Sequence, residues 1–447
     1  MATQYELIEA GGREVRISSP GKLVFAAARI TKRDLVDYYL RVAEPALNQL
    51  RDRPTVLKRF PNGAGAEPFF QKRIPDSAPD WLQTTTVTFP SGRTARELTP
   101  NDAAHLVWGV NLGVIDWNPW QVRAPELDHP DELRVDLDPT PEAAWDDVRR
   151  VALVCGAVLS DHGLTGYPKT SGSRGIHIYA RIEPRWAFGE VRLAAVAVAR
   201  EIERRVPEQA TSKWWKEERH GVFVDYNQNA KDRTVASAYS VRPLPDARVS
   251  TPLTWDEVPS CDPAAFTIDT VPGRFAKVGD PWEGIDEAVG SLGALLEQAS
   301  RDEAAGLPDA PWPPHYEKQS GEESRVQPSK RRTSGGSAGP AASAARSSPT
   351  GRRQSTKPLI EIARARTKAE AMDGLERWKS RHPGVWPLLE PADVLVDSMR
   401  GRSSTWTRIR INLEHVPEAQ RPSQEPLEVD YDPWEGVDPR EFRGNTP

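Results

Sequence analysis

Three acidic positions carry the chemistry this sequence can offer. Asp136 and Asp138 lie in Leu133-Arg134-Val135-Asp136-Leu137-Asp138, and Asp225 lies in Val222-Phe223-Val224-Asp225-Tyr226. Both segments alternate as strands do, so Asp136 and Asp138 share one face while Leu133, Val135 and Leu137 share the other. Two carboxylates on one face, joined by a third from another strand, can form a site for hard divalent cations such as Mg²⁺ or Mn²⁺. Between them runs Ser171-Gly172-Ser173-Arg174-Gly175-Ile176-His177. Such a Gly/Ser loop can offer backbone N–H groups and the Arg174 charge to phosphates. Cations and a triphosphate together suit nucleotidyl transfer, in which metal ions align a 3′-hydroxyl and neutralise leaving pyrophosphate. Each signal is weak singly: a DxD can be exposed strand charge, Asp225 can cap a turn, and His177 can be structural. Their order raises the reading, the more so because Arg233 and Tyr239-Ser240-Val241-Arg242 follow.

Strands and helices must position these groups. Thr31, with Asp34 three residues on, reads as the N-cap of a helix through Leu35, Tyr38, Tyr39 and Val42. Thr140-Pro141-Glu142 reads as the opening of a second helix, whose apolar stripe is Trp145, Val148, Ala152, Cys155 and Leu159. Ile176, Ile178, Ala180 and Ile182 alternate with His177, Tyr179 and Arg181, the pattern of a half-buried strand. Val191 to Val206 is helical again. Alternating strands and helices predict an α/β or α+β core.

The chain has 447 residues and a formal net charge of -5, enough length for two or three domains but no global attraction to nucleic acid. Any nucleic-acid contact must come from local patches, and Lys22, Arg29, Lys32, Arg33, Lys58, Arg59, Lys72 and Arg73 provide one. Cys155 and Cys261 are the only cysteines and form no CxxC pair, which fits a reducing cytosol and argues against thiolate zinc. No signal-like start or long apolar run is present, so a soluble, cytoplasmic protein is expected, with no membrane partner. From about Ala304 to Lys357 the composition turns to Ser, Gly, Pro, Ala and Arg. Such a stretch predicts a disordered linker over 301–357, either a solvated tether or a basic arm that touches phosphates. Beyond it, 358–447 reads as a small accessory region, helical near Ile360–Ser380 and strand-like over Thr405–Leu413. Asp280-Pro281-Trp282-Glu283-Gly284-Ile285-Asp286 recurs as Asp432-Pro433-Trp434-Glu435-Gly436-Val437-Asp438, too short an echo to be a domain repeat.

From about Val15 to Val258 the motifs, in order and wording, resemble the polymerase domain of bacterial ligase D and its stand-alone actinobacterial relatives, in the archaeo-eukaryotic primase superfamily. The resemblance rests on Ser19-Pro20-Gly21-Lys22, Thr31-Lys32, Pro54-Thr55-Val56-Leu57-Lys58-Arg59 and Phe69-Phe70-Gln71-Lys72. It continues through Val135-Asp136-Leu137-Asp138-Pro139, Lys169-Thr170-Ser171-Gly172-Ser173-Arg174-Gly175-Ile176-His177, Val224-Asp225-Tyr226-Asn227-Gln228-Asn229 and Tyr239-Ser240-Val241-Arg242. It implies an α+β primase-polymerase fold over 1–300: an antiparallel catalytic sheet like that of the RNA-recognition motif, flanked by helices and an N-terminal α/β subdomain. It implies that Asp136, Asp138 and Asp225 ligate two metal ions, with Mn²⁺ favoured. Ser171, Arg174, His177, Arg233 and Arg242 would bind the nucleotide. Lys22 and Lys32 would grip a 5′-phosphate across a gap, with Lys58, Arg59, Phe69, Phe70 and Lys72 on DNA. Core packing is the competing reading for one of the two phenylalanines.

Departures matter too. Arg174 and Arg233 stand where relatives often carry Lys, and Gln228 where some carry Arg. No histidine occurs around Asn118-Pro119-Trp120, where many relatives hold one near the sugar. No Lys-x-Asp-Gly ligase motif and no evident zinc primase module is present. The expectation is a metal-dependent, template-directed nucleotidyltransferase that fills short gaps or extends primer ends in DNA repair, with ribonucleotides favoured over deoxynucleotides. Its partners would be gapped or broken DNA, NTP or dNTP, and Ku or a separate ligase; its setting would be the nucleoid. The rival is a DNA-end-binding scaffold that keeps the fold and recruits repair partners; a metal-dependent phosphoesterase lacks a dedicated base.

Overall fold

Two glycines with positive φ, Gly11 and Gly12, close the first hairpin, between β1 (Tyr5–Ala10) and β2 (Arg13–Ser18). This computed structural model describes residues 5–313, 316, 358–390, 393–400 and 405–431. The chain divides into two units, 1–331 and 332–447. In the first, β3 (Leu23–Phe25) and β4 (Ile30–Thr31) pair and lead into α1 (Lys32–Arg41). The expected cap is there: Asp34 N donates to Thr31 Oγ1 at 3.2 Å, and Thr31 N to the Asp34 carboxylate at 2.7 Å. Then come α2 (Ala43–Leu50), β5 (Thr55–Arg59), β6 (Phe69–Gln71), β7 (Thr84–Thr88), β8 (Thr94–Leu98), α3 (Ala103–Asn111) and β9 (Val114–Pro119). They build an N-terminal α/β lobe whose sheet runs β6-β5-β8-β7, with β9 also paired to β5. Leu35, Tyr39, Leu57, Val107 and Trp117 are in its core.

The second lobe is β10 (Glu132–Pro139), α4 (Trp145–Asp161), β11 (Tyr167–Thr170), β12 (Ile176–Arg181), α5 (Phe188–Arg205), β13 (Ala210–Thr211) and β14 (Val222–Asp225). Strand order is β11-β12-β10-β14-β13, antiparallel except for β13 on β14. The sequence β10-α4-β11-β12-α5-β14 in that order is the split βαβ arrangement expected of an RNA-recognition-motif sheet. Leu133, Val135, Leu137, Ile176 and Ile178 bury one face under Val148, Val151, Cys155, Val191 and Ala195 of the two helices. Helices α6 (Val271–Val278) and α7 (Gly293–Ala304) follow.

Several expectations are corrected. α4 begins at Trp145, not at Thr140, because Asp147 rather than Glu142 caps it, accepting from Ala144 N at 3.0 Å. β12 is buried on both faces, not half-buried, because the N-terminal lobe and the Trp282 segment cover His177, Tyr179 and Arg181. The first unit does not end at 300. Asp309 pairs with the buried Arg192 of α5 at 3.0 Å, and the carbonyls of Ala310 and Pro311 accept from the same guanidinium.

In the second unit, the stretch expected to be helical starts as a strand, β15 (Leu359–Ala365), because Ile360 and Ile362 alternate inward. Thr367 then caps α8 (Lys368–Arg381) with Glu370 as reciprocal partner. β16 (Val394–Arg400) and β17 (Thr405–Asn412) complete a sheet of order β15-β17-β16. Leu375, Trp378, Ile409 and Ile411 form its core with β15. The basic stretch 317–357 and the echo Asp432–Asp438 lie outside the described residues. No helix among the described residues is long and apolar enough to cross a membrane.

Candidate active site

β10 is the middle strand, so its polar face meets both neighbours. Asp136 stands directly opposite His177 of β12 on one side and Asp225 of β14 on the other, and Asp138 follows on the same face. Burial and the nearby charges of Asp225 and Asp138 push the Asp136 carboxyl up to about 8. Burial raises Asp225 as well, offset by donors from Asn227 N at 2.8 Å and Gln228 Nε2 at 3.0 Å. Gln228, a departure noted in the sequence, therefore holds the carboxylate itself. Mutual repulsion of this kind is relieved by a cation. Among the described residues no three acidic, His or Cys groups are already closed into a metal cluster. The donor types fit a hard divalent ion all the same: carboxylate oxygens on one face, with no lysine or arginine paired to Asp136 or Asp138.

The loop ahead of β12 is shaped for close approach. Ser171 Oγ accepts from Ser173 N and Gly175 N, both at 3.1 Å, so its oxygen organises the loop's own amides. Gly172 has φ +67, and a Cβ there would lie 2.4 Å from Arg242 Cγ, so only glycine admits Arg242 so near the loop. Arg242 Nη1 is held by Asp116 at 2.9 Å, and Lys58 lies 3.8 Å from the same carboxylate. Asp116 and Lys169 are the residues that sequence reading missed. An Asp inside the otherwise apolar run Val114-Ile115-Asp116-Trp117 was the available signal for the first. The second sits across the β11–β12 ladder from His177. His177 Nε2 lies 3.4 Å from Asp136 Oδ1, and burial, then the Lys169 and Arg242 charges, hold the ring well below its usual pKa, hence neutral.

The other sequence-selected residues divide. Arg233 lies near enough for its charge to act on Asp225. Arg174 is exposed and lines a surface recess with Pro139, Thr140 and Arg248. Lys22, Lys32 and Arg59 line a separate cavity of about 280 Å³ between α1, α3 and the β5 end. Lys32 has its ammonium bound to Ser18 O at 2.7 Å and Asn111 O at 3.1 Å, so much of its donor capacity is spent on the fold. Phe69 and Phe70 are both exposed, which corrects the expectation that one is core; Arg59 stacks on the first and Lys58 lies over the second. Lys72 lies over Phe89. The first copy of the echoed heptapeptide is a plug: Trp282 is fully buried against Tyr179, and Asp286 pairs with Arg181 and Arg123.

Comparison with known proteins agrees with this geometry. Residues 31–282 match the family described as LigD, primase-polymerase domain. The multifunctional non-homologous end joining protein LigD of Mycolicibacterium smegmatis is 30% identical over 66% of this chain and 39% of its own length. The bifunctional LigD of Bacillus subtilis is 32% identical over 60% of this chain and 44% of its own. The chain thus spans about two fifths of the length of these relatives. The polymerase domain of Mycobacterium tuberculosis ligase D, solved in complex with DNA, superposes with a TM-score of 0.58 at 33% identity. It covers 61% of this chain and 98% of that one. A polar sheet face with facing carboxylates, a Gly/Ser loop and a family match over more than half the chain lead to one conclusion: this protein belongs to the LigD primase-polymerase domain family.

Proposed function

We propose that this chain is a template-directed nucleotidyltransferase that adds nucleotides to a primer 3′-end in short gaps or at DNA breaks, with ribonucleotides preferred. The observation that carries the reading is the register of Asp136 against Asp225, with Asp138 on the same face. Asp136, Asp138 and Asp225 would hold Mn²⁺ or Mg²⁺, which would supply positive charge to the triphosphate and to the attacking hydroxyl. Arg242, anchored by Asp116, and the neutral His177 would orient the phosphates, with Ser171 keeping the loop amides in place. Arg174 and Arg233 would add charge at the rim. Exposed Phe69 and Phe70, with Lys58, Arg59 and Lys72 beside them, suit a template strand, since a ring that stacks on a base contributes about 1–3 kcal/mol. The cavity of Lys22, Lys32 and Arg59 suits a 5′-phosphate, with Lys22 the more exposed of the two lysines. Relatives named for non-homologous end joining support a role in break repair beside Ku or a separate ligase, at the nucleoid.

Primer extension on a gapped duplex with Mn²⁺, comparing four rNTPs with four dNTPs, tests this. The wild type extends, faster with rNTPs, and binds a 5′-phosphate gap more tightly than a 5′-hydroxyl one. Asp136→Ala with Asp138→Ala loses at least about 10²–10³-fold in rate while DNA binding remains. DNA binding without any extension by the wild type would leave the scaffold reading in its place.

A further inference from the structure

Lys169 is fully buried, yet its ammonium is surrounded by polar atoms: His177 Nδ1 at 2.8 Å, Ser250 Oγ at 2.6 Å and Ala236 O at 2.9 Å. The direction of each bond can be assigned. Ala236 O can only accept. Ser250 Oγ donates its own proton to Thr170 O at 2.8 Å, so it accepts from Lys169. An ammonium has three N–H groups and no lone pair, and the third is aimed at His177 Nδ1. A ring nitrogen that accepts carries no proton, so the one proton of a neutral imidazole must lie on Nε2. That nitrogen faces Asp136 Oδ1 on the polar side of the sheet.

We propose that Lys169 is a positioning residue: clamped by Ala236 and Ser250, it fixes His177 as the Nε2–H tautomer, so that the ring presents a donor rather than a lone pair to the anionic groups of the nucleotide site. The inference rests on that site being a nucleotide site. Lys169 itself reaches no ligand, because it has no exposed surface. The opposite tautomer would turn an imidazole lone pair toward carboxylate and phosphate oxygens, which repel it. The cross-strand register makes the arrangement exact to one residue: Lys169 is opposite His177, and a slip by one would put Pro168 or Thr170 there.

Two measurements test it. In wild-type protein labelled with ¹⁵N-histidine, long-range ¹H–¹⁵N correlation should show His177 protonated at Nε2 and unprotonated at Nδ1, with the signal assigned by its loss in His177→Gln. In Lys169→Met, which keeps the bulk and removes the donors, the ring should populate both tautomers. The KM for NTP on a gapped duplex should then rise about ten- to a hundred-fold, the size of one lost hydrogen bond to a charged group, with affinity for the duplex unchanged. Wild-type His177 protonated at Nδ1 overturns the proposal, as does a Lys169→Met protein that keeps the wild-type tautomer and KM. Should Lys169→Met not fold, the wild-type spectrum still decides. A wild type with the expected tautomer but no extension by any nucleotide would instead count against the polymerase reading.

Discussion

One strand face carries two kinds of carboxylate. At the start of β10, Glu132 is buried among three guanidiniums: Arg134 at 2.6 Å, Arg53 at 3.1 Å, and Arg181 in hydrogen-bond contact. Two pairs of residues along the same face, Asp136 has no such partner and sees Asp225 and Asp138 instead. Burial alone would raise Glu132, but the charges of Arg53, Arg134 and Arg181 overcome it and hold the carboxyl well below the usual range. At Asp136 burial and neighbouring charge act together, and the group rises to about 8. The same side-chain chemistry on the same strand is thus structural where the protein supplies the counter-charge. Where it withholds it, the site is left to bind one from outside. Strain of that sort at a functional site lowers stability in exchange for activity.

The largest expected effect lies at the paired end. Glu132→Gln leaves Arg53, Arg134 and Arg181 short of their shared counter-charge and should cost about 3–5 kcal/mol of folding stability. Urea denaturation measures it, and a loss below 1 kcal/mol would erase the contrast between the two ends. Next in size is the pH dependence of metal binding. A cation must displace the proton that Asp136 retains below about pH 8, so each pH unit from 8 down to 6 should weaken Mn²⁺ binding up to about tenfold. Calorimetric titration at three pH values checks this, and a flat profile would mean that Asp136 is already ionised. The smallest effect has the opposite sign from the first. With the folded pKa of Asp136 raised, its stability contribution is intact below the ordinary 3.8 and is lost as pH rises toward 8. Metal-free Asp136→Asn should therefore melt about 2–4 °C above wild type at pH 8 for each kcal/mol relieved, and alongside it at pH 4. Equal shifts at both pH values would assign the gain to packing instead.

Much of this was legible in the chain because it depends on local pattern. The alternation in Leu133–Asp138 and Ile176–Arg181 set which residues share a face, and Thr31 with Asp34 announced a helix start that the structure contains. What misled was also local. Pro141 and Glu142 look like a helix start, but Asp147 offers the better reciprocal cap; Ile360 and Ile362 fit a helix stripe or a strand face equally, and only the pairing of Leu359 and Ile360 with β17 chooses.

By itself, the sequence determined the inventory: three aspartates on strands, a Gly/Ser loop, a histidine facing away from an isoleucine stripe, and a basic N-terminal part. Periodicity needs no partner, since alternate residues point apart in any strand. Tertiary structure alone decided the neighbours. It set Asp225 opposite Asp136 across 89 residues of chain (225 − 136), Lys169 behind His177, and Asp116 of another lobe under Arg242. It also surrounded Glu132 with arginines from β12 and from the segment before β5. Charge state depends on which groups come within a few ångströms and on how much water is excluded, and neither is encoded in spacing along the chain.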